Sequence, residues 1–249
     1  MKRFLLASIT AFTFFLTGCL ENTQEVTIEA DGSGSLKTTS DMSGLISIAK
    51  QFAGDKMDEI PQDKIDTIIS LALGADSIEG LSDAEKEIIK TGTLRMNMDM
   101  GSDKMVFGLD FPFSSVAQIN DINAVSGKAI TEIAANKIGG GAGGDDGMPK
   151  GFTMDDYYTI NYTQGAIEKK LNKEKYAEVD KDEFLSSMKQ LTAMGLTMKN
   201  TLVINLPRPA TKAEGKGLTL SEDKKKITVE ASIDDFFDEP SKLEFIVEY

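Results

Sequence analysis

The sequence predicts an α+β fold in which an antiparallel β-sheet carries several helices packed on one face. Three observations predict this class. Apolar residues at alternate positions, typical of strands with one buried face, occur near the start, in the middle and in the last third of the 249 residues. Apolar residues three and four positions apart, typical of amphipathic helices, occur between these segments. Because the two patterns come in blocks, the α+β class is favoured over a strict βαβ alternation.

The first predicted elements form a β-hairpin within residues 25–39. Val26, Ile28 and Ala30 alternate with polar residues, and the run DGSG at 31–34 follows as a tight turn. The chain then returns in a second strand through Leu36.

Residues 41–92 are predicted to be helical. The apolar faces of the first two helices consist of Leu45, Ile48 and Phe52, and of Ile65, Ile68, Ile69 and Ala72. The third helix begins with a capping box, in which Ser82 is followed three residues later by Glu85, and it ends at Gly92.

The segment LRMNMDMGSDKMVFGLDF predicts a second hairpin, with residues 101–104 as its loop. In this register each opposed pair on one face is apolar: Leu94 with Phe111, Met96 with Leu109, Met98 with Phe107, and Met100 with Met105. On the other face, Arg95 lies opposite Asp110.

The rest of the chain continues the mixed pattern. Residues 114–138 are predicted to be helical with a break near 126–127, and the glycine-rich run 139–151 is predicted to be a flexible loop within a single domain of residues 19–249. A further helix is expected from Asp180, with Glu183 in its capping box and Phe184, Leu185, Met188 and Leu191 facing inward. One strand is expected where apolar residues lie an even number of positions apart, at Phe152, Met154, Tyr158, Ile160 and Tyr162. Further strands are expected at 202–206, 218–220, 227–233 and 243–249.

The N-terminus predicts secretion. Lys2 and Arg3 precede an apolar run at 4–16, which is too short to remain as a membrane-spanning helix. The run closes with Leu16-Thr17-Gly18-Cys19, which resembles the lipobox of bacterial lipoproteins and contains the only cysteine of the chain. The alternative is an ordinary signal peptide that is cut elsewhere and leaves Cys19 as a free thiol.

The lipobox resemblance implies that residues 1–18 are removed and that Cys19 carries a diacylglycerol on its sulfur and an acyl group on its amine. Each buried CH₂ contributes about 0.8 kcal/mol, and one acyl chain gives only marginal binding, so two or three chains together give stable anchoring. We therefore expect an envelope protein tethered by only a few residues. Leu20 is not the aspartate that retains lipoproteins in the inner membrane of some bacteria, which favours the outer membrane.

Composition excludes several function classes. Without residues 1–18 the chain keeps 25 basic and 40 acidic residues, a net charge of −15, which disfavours nucleic-acid binding. The chain has no histidine, and its one cysteine is assigned to the lipid. Nucleophilic schemes that depend on an imidazole base, and zinc sites built from histidine and cysteine, are therefore excluded. We expect no enzyme activity and no cofactor.

Motifs that suggest ligands have simpler interpretations. Gly139, Gly141 and Gly144 fit a dinucleotide fingerprint, but no strand precedes them. The run at 31–35 begins like a calcium loop but has Leu36 at the position that requires glycine. The acidic pairs at 145–146, 155–156, 234–235 and 238–239 are expected to be solvated surface, and no metal site is predicted.

The apolar face of the second hairpin is the one candidate ligand surface. Methionine is flexible and polarisable, and it is frequent on surfaces that accept varied apolar partners. The face consists of Leu94, Met96, Met98, Met100, Met105, Phe107, Leu109 and Phe111. The alternative is ordinary core beneath the helices, because any half-buried hairpin needs an apolar face.

Three functions compete on this basis. The first is a non-enzymatic lipoprotein that meets other envelope proteins, the second is a module that binds lipid between sheet and helices, and the third is a carboxylate-based hydrolase. A strand ending in DGSG after the anchor, a strand leaving through LPRP at 206–209, and a closing set of strands are similar to envelope lipoproteins with an LppM-type domain. Some of these are implicated in lipid binding, so the resemblance supports the second function.

Overall fold

The structure is a computed structural model that describes residues 19–46, 50, 64–78, 80–126, 154–193 and 195–249. Several predictions lie outside these residues. They are the signal peptide, the positions Ile48, Phe52 and Phe152, the continuation of the helix beyond 126, and the glycine-rich run with its dinucleotide-like motif and its acidic pair.

The described residues form twelve strands and several helices. The strands are β1 (Cys19–Ile28), β2 (Gly34–Asp41), β3 (Lys64–Ser70), β4 (Thr93–Asp99), β5 (Lys104–Phe113), β6 (Tyr158–Thr163), β7 (Ala166–Leu171), β8 (Thr197–Asn205), β9 (Lys212–Gly215), β10 (Leu218–Leu220), β11 (Lys226–Ser232) and β12 (Phe245–Glu248). The helices are α1 (Asp83–Lys90), α2 (Lys173–Tyr176), α3 (Glu183–Ala193) and α4 (Ile233–Asp238), and residues 43–46 and 118–126 are also helical.

The strands make two sheets, and the predicted α+β class is confirmed. The larger sheet has the order β10-β11-β8-β1-β2-β5-β4-β3, and the smaller has the order β6-β7-β12-β9. Every neighbouring pair is antiparallel except β1 and β8, which run parallel. The sequence pattern did not predict this parallel pair, because it joins strands that lie far apart in the chain.

One buried cluster lies between the two sheets. Val26 and Ile204 of the larger sheet pack in the same cluster as Ile167 and Val247 of the smaller sheet. Ile119, from the helical residues 118–126, belongs to it as well. The smaller sheet and this helix thus cover the same face of the larger sheet, at the end where β1 finishes.

The DGSG run forms the predicted turn between β1 and β2. The Asp31 carboxylate accepts hydrogen bonds from the Ser33 hydroxyl at 2.6 Å and the Ser33 N–H at 3.0 Å, which lower the pKa of Asp31. Gly32 has a φ of 86°, a left-handed conformation that favours glycine. The predicted return strand is confirmed as β2, with Leu36 opposite Val26.

The predicted second helix is wrong, because residues 64–70 form strand β3. Ile65, Ile68 and Ile69 fit a helical face, but Ile65 and Ile69 also share the parity of a strand. The segment is rich in β-branched residues, which favour a strand, and it pairs with β4 along its whole length. Ile68 points away from the core and is 65% exposed. Ala72 follows in a short 3₁₀ turn.

The second hairpin forms, but its register differs from the prediction by two residues. The observed pairs are Leu94 with Leu109, Met96 with Phe107, and Met98 with Met105. A shift of two keeps every side chain on the predicted face. It separates Arg95 from Asp110, so the guanidinium of Arg95 lies 3.5 Å from Asp66 instead.

The cause of the shift is the turn chemistry at the tip of this hairpin. The Asp99 carboxylate accepts hydrogen bonds from the N–H groups of Gly101 and Ser102, at 3.1 and 3.3 Å, and so starts the turn one residue early. Asp103 closes the turn with a φ of 53°. The loop is therefore 100–103.

Local capping explains the helix ends. Ser82 and Glu85 form the predicted capping box of α1. The cap of α3 is Asp182 and not Asp180, since the Asp182 carboxylate accepts a hydrogen bond from the Leu185 N–H at 3.0 Å. The predicted strand at 227–233 ends one residue earlier, because Ser232 and Asp235 form a second capping box that starts α4 at Ile233.

The remaining strand predictions are largely confirmed with shifted bounds. β8 begins at Thr197, five residues before the predicted 202–206, and the predicted 243–249 becomes β12, from Phe245 to Glu248. Met154 lies in a 3₁₀ turn that precedes β6. Strands β7 and β9 and helices α2 and α4 were not predicted.

The end of α1 gives a prediction about stability. A Cβ added to Gly92 would lie 2.3 Å from the Cε1 atom of Phe111, a ring that is 1% exposed and has little room to move. We expect Gly92→Ala to lower the free energy of unfolding by about 1–3 kcal/mol, measured by urea denaturation, because it overpacks the core.

Gly108→Ala is the matched control. An added Cβ at position 108 would meet no atom closer than 3.6 Å, so its effect should stay within about 0.5 kcal/mol. Equal losses of stability in the two variants would contradict the proposed clash.

Candidate functional site

The predicted lipid attachment point lies at one end of the central strand. β1 begins at Cys19, which is paired with Thr197 of β8, and the next residue, Leu20, is paired with Met198. β8 pairs with β1 from Cys19 onward and β2 pairs with it from Glu21 onward, so Cys19 is itself part of the sheet and strand follows it in place of the expected short tether. We refer to this end of the larger sheet as the anchor end and to the end near the DGSG turn as the far end.

The eight residues of the predicted ligand face divide into two groups. Leu94, Met96, Leu109 and Phe111 are buried in the main cluster, and Phe107 packs against it. The other three, Met98, Met100 and Met105, lie toward the anchor end. Met100 is buried with Ile46, Met105 packs beside them, and Met98 is half-buried. The half of the face nearer the far end is therefore covered by the protein's own core.

A continuous row of apolar side chains crosses the larger sheet near the anchor end. Leu20 is paired with Met198, and Met98 is paired with Met105 and with Ile65. The N–H of Met42 donates to the carbonyl oxygen of Met105 at 2.8 Å, which places Met42 between β1 and β5. The methionine row therefore consists of Met198, Leu20, Met42, Met105 and Met98, and ends at Ile65.

Helices cover part of the methionine row. Leu20, 8% exposed, is buried with Met188 of α3 and with Leu196. Met42, Met98, Met105 and Met198 keep intermediate exposure. Sequence reasoning found Met98 and Met105 but missed Leu20, Met42 and Met198. The only sequence signal for these three residues was that each lies an even number of positions from an apolar residue, Val26, Leu36 or Leu202. Polar residues between them interrupt the apolar alternation.

Between the methionine row and the main core, the same face of the sheet is polar. We call Asn22, Gln24, Ser40 and Asn200 the amide strip. The Ser40 hydroxyl donates to Oδ1 of Asn22 at 2.8 Å, and Nε2 of Gln24 donates to Oδ1 of Asn123 at 3.1 Å. Nδ2 of Asn22 donates to Oδ1 of Asn200 at 3.4 Å, but the buried Nδ2 of Asn200 has no partner among the described residues.

Two clefts lie at the far end. The larger has a volume of about 400 Å³ and lies between the DGSG turn, α1 and the 118–126 helix. Its lining is largely apolar and includes Ile88, Phe113 and Ile122, with Thr91 and Gln118 beside them.

The smaller cleft, of about 190 Å³, lies where the DGSG and LPRP runs meet, and Gly32, Pro207 and Arg208 line it. The Arg208 guanidinium donates to the main-chain oxygen of Tyr249 at 2.8 Å. These two runs are the ones that carry the resemblance to LppM-type domains.

A partly buried ion pair joins strand β7 of the smaller sheet to the 3₁₀ turn before β6. Lys169, 7% exposed, contacts the carboxylate of Asp155, and its ammonium group lies 4.6 Å from the ring centre of Tyr158. The nearby Tyr162 hydroxyl is buried, and it has no hydrogen-bond partner among the described residues. Burial raises the pKa of both tyrosines, so both remain neutral at physiological pH.

The described acidic pairs contribute to structure. Asp155 contacts Lys169, Asp235 caps α4 and bonds to Lys242 at 2.7 Å, and Glu239 lies 2.6 Å from Lys216. Burial alone would raise the pKa of Asp235, but the hydrogen bonds from Lys242 and Ser232 lower it.

Among the described residues, no group of three or more histidine, cysteine, aspartate or glutamate side chains is placed to hold a metal ion. The expectation of no metal, no cofactor and no enzyme activity stays a prediction. None of the described helices combines the length and the apolar character needed to cross a bilayer.

Comparison with known proteins gives one structural similarity. No protein-family model and no curated protein matches the sequence. Among solved structures, the folded domain of the LppM protein of Mycobacterium tuberculosis, determined by NMR, matches with a TM-score of 0.39 and 9% sequence identity. The match covers 94% of this chain and 92% of that domain.

Proposed function

We propose that the protein is a lipid-anchored lipoprotein of the bacterial cell envelope, held in the outer membrane through Cys19, which acts without catalysis by presenting the far end of its sheet to other envelope proteins. One observation carries the proposal. The lipobox-like run at 16–19 ends at the residue that begins the central strand, so the lipid is joined directly to a rigid sheet.

The length of β1 sets the distance between the lipid and the far end. The strand has ten residues, which span about 30 Å at roughly 3.3 Å per residue. The smaller cleft is lined by Ile28, the last residue of this strand, and the larger by Ser33 in the turn that follows it. A protein held at Cys19 can therefore offer these clefts to partners well above the bilayer surface.

The larger cleft has the character of a protein-binding surface. Its floor is apolar, while three carboxylates near it in sequence are exposed: Glu87 and Asp121, each next to a lining residue, and Asp31, two residues before the lining Ser33. Without residues 1–18 this chain has a net charge of −15. The complementary partner therefore presents an apolar side chain flanked by lysine or arginine.

A second candidate function is the binding of a lipid or another apolar ligand between the sheet and the helices. The amide strip favours it, because a buried amide without a partner is costly and a ligand that carries an acceptor oxygen would satisfy Nδ2 of Asn200. The methionine row would lie beside the apolar part of such a ligand.

The anchoring is tested by Cys19→Ser. Because oxygen at this position cannot accept the diacylglycerol in place of sulfur, we expect the variant to lose labelling with radioactive palmitate and to leave the membrane fraction. The control is the double variant Cys19→Ser with Leu73→Cys, since Leu73 is 79% exposed and lies at the far end. This double variant again contains one thiol, but at position 73, where we expect no labelling with palmitate. Labelled, membrane-bound Cys19→Ser protein would refute the anchor.

The interaction surface is tested by a photo-crosslinking amino acid at Thr91, on the rim of the larger cleft. Irradiated cells should yield discrete covalent products with envelope proteins, because the partner covers this cleft. The same amino acid at Thr39, an exposed position on the opposite face of β2, is the control and should yield none. Products of equal amount at both positions, or none at Thr91, would argue against the cleft.

The second candidate is tested on residues 20–249 produced without the anchor. Native mass spectrometry should show a bound lipid mass, and uptake of a fluorescent fatty acid should fall in Asn200→Ala. If the purified protein carries no lipid and takes up no fatty acid, lipid binding is excluded and interaction with envelope proteins remains.

A further inference from the structure

We propose that the methionine row is a membrane-contact surface, so that the anchored domain stands upright with this row at the headgroup level and its far end in solution. The inference rests on the proposed anchor at Cys19 and adds an orientation to it. It makes the bilayer itself a ligand of the folded domain, in addition to the attached lipid.

The first step is the absence of a tether. The main chain of Cys19 is already fixed in β1 beside Thr197. Two covalent bonds join Cα of a cysteine to its sulfur, and the glyceryl carbons follow directly, so the acyl chains begin on the order of 5 Å from the sheet. The headgroup region outside the hydrocarbon core is only about 5–8 Å deep on each side. The first residues of β1 must therefore lie within it.

The second step is the position of the row. Leu20 follows Cys19 in β1, and residues paired across neighbouring strands lie at the same height. Strands are spaced about 4.8 Å apart, so a row that runs from β8 to β4 spans roughly 20 Å of the sheet's end. The whole row thus lies about one residue from the level of the lipid attachment.

The third step is the residue type. Four side chains of the row, Met42, Met98, Met105 and Met198, remain partly exposed although they pack on neighbours. Exposed apolar area is unfavourable in water, whereas contact with acyl chains contributes roughly 25 cal/mol per Å² of apolar area covered. Methionine adapts its shape to a fluid surface more readily than branched side chains do.

The fourth step is the charge at this end. Although the chain is strongly acidic, two carboxylates beside the row, those of Asp99 and Asp103, are paired with lysine. Asp99 lies 3.5 Å from Lys64, and Asp103 contacts Lys50, which also donates to the carbonyl oxygen of Met100 at 3.0 Å. Pairing reduces repulsion from anionic headgroups at the one end that the anchor brings close to them.

The experiment uses single-tryptophan variants of the full-length lipidated protein, because the chain contains no tryptophan. Met98→Trp places the probe in the row, and Leu73→Trp places it at the far end. Each variant is reconstituted into phosphatidylcholine vesicles with acyl chains brominated at carbons 6 and 7, and vesicles of the same lipid without bromine are the reference. Bromine quenches tryptophan only at close range.

We expect bromine to reduce the emission of Met98→Trp at least about twofold, because membrane-contact side chains reach about 5–10 Å into the headgroup and acyl boundary. Leu73→Trp should be unchanged. Inserting a twelve-residue glycine-serine linker between Cys19 and Leu20 of Met98→Trp should keep flotation with vesicles and abolish the quenching. Met105→Trp repeats the measurement should Met98→Trp fail to fold, as judged by circular dichroism.

The outcomes separate the two proposals. Protein that floats with vesicles but shows no quenching at Met98→Trp and Met105→Trp overturns the membrane contact and leaves the anchor intact. Quenching of Leu73→Trp to the same degree overturns the upright orientation. If the protein carries no lipid and remains in solution, the proposed anchor at Cys19 is overturned, and the proposed membrane contact is overturned with it.

Discussion

The parallel pairing of β1 with β8 is the constraint on which the arrangement of this protein depends. It places the first described strand in the interior of the larger sheet, with β2 on its other side. One consequence is that Cys19 and the DGSG turn lie at opposite ends of one straight element. A second is that the LPRP run, which follows β8, is brought to the far end together with the turn.

The face of β1 that points inward changes character along its length. Val26 and Ile28 belong to the core between the two sheets, Asn22 and Gln24 to the amide strip, and Leu20 to the methionine row. Apolar contacts fix the two ends of the strand, while hydrogen bonds between side chains fix its middle. Directional polar contacts of this kind favour one register over its neighbours, since a slip by two residues would leave several buried amides unpaired.

Much of the fold could be predicted because its signals are local. The capping box of Ser82 and Glu85, the DGSG turn and the alternating hairpin faces depend on residues within a few positions of one another. β3 was misassigned because Ile65, Ile68 and Ile69 fit a helical face, while Ile65 and Ile69 also fit the alternation of a strand, and pairing with β4 decides between the two. The hairpin register depends on the carboxylate of Asp99, which starts the turn. A prediction that only matches apolar residues across the two strands does not take this turn signal into account.

The candidate sites divide in the same way. Cys19 is marked by the run that precedes it, so the sequence alone predicts its role. The methionine row depends on alignment between β8, β1 and β5, and Asn22 and Asn200, which meet in the next row, are 178 residues apart. No local pattern encodes such an alignment. The far-end clefts also required the tertiary structure, because their walls come from separate turns and helices.

The chain separation between β1 and β8 also has a consequence for biogenesis. β1 is synthesised first, yet it lacks one of its two neighbours until residues 197–205 have followed. During that interval the strand presents an open, hydrogen-bonding edge, which is a template for aggregation. Contacts of such long range also slow folding. A chain that ends before Thr197 would therefore leave this edge of β1 unpaired instead of forming a shortened domain.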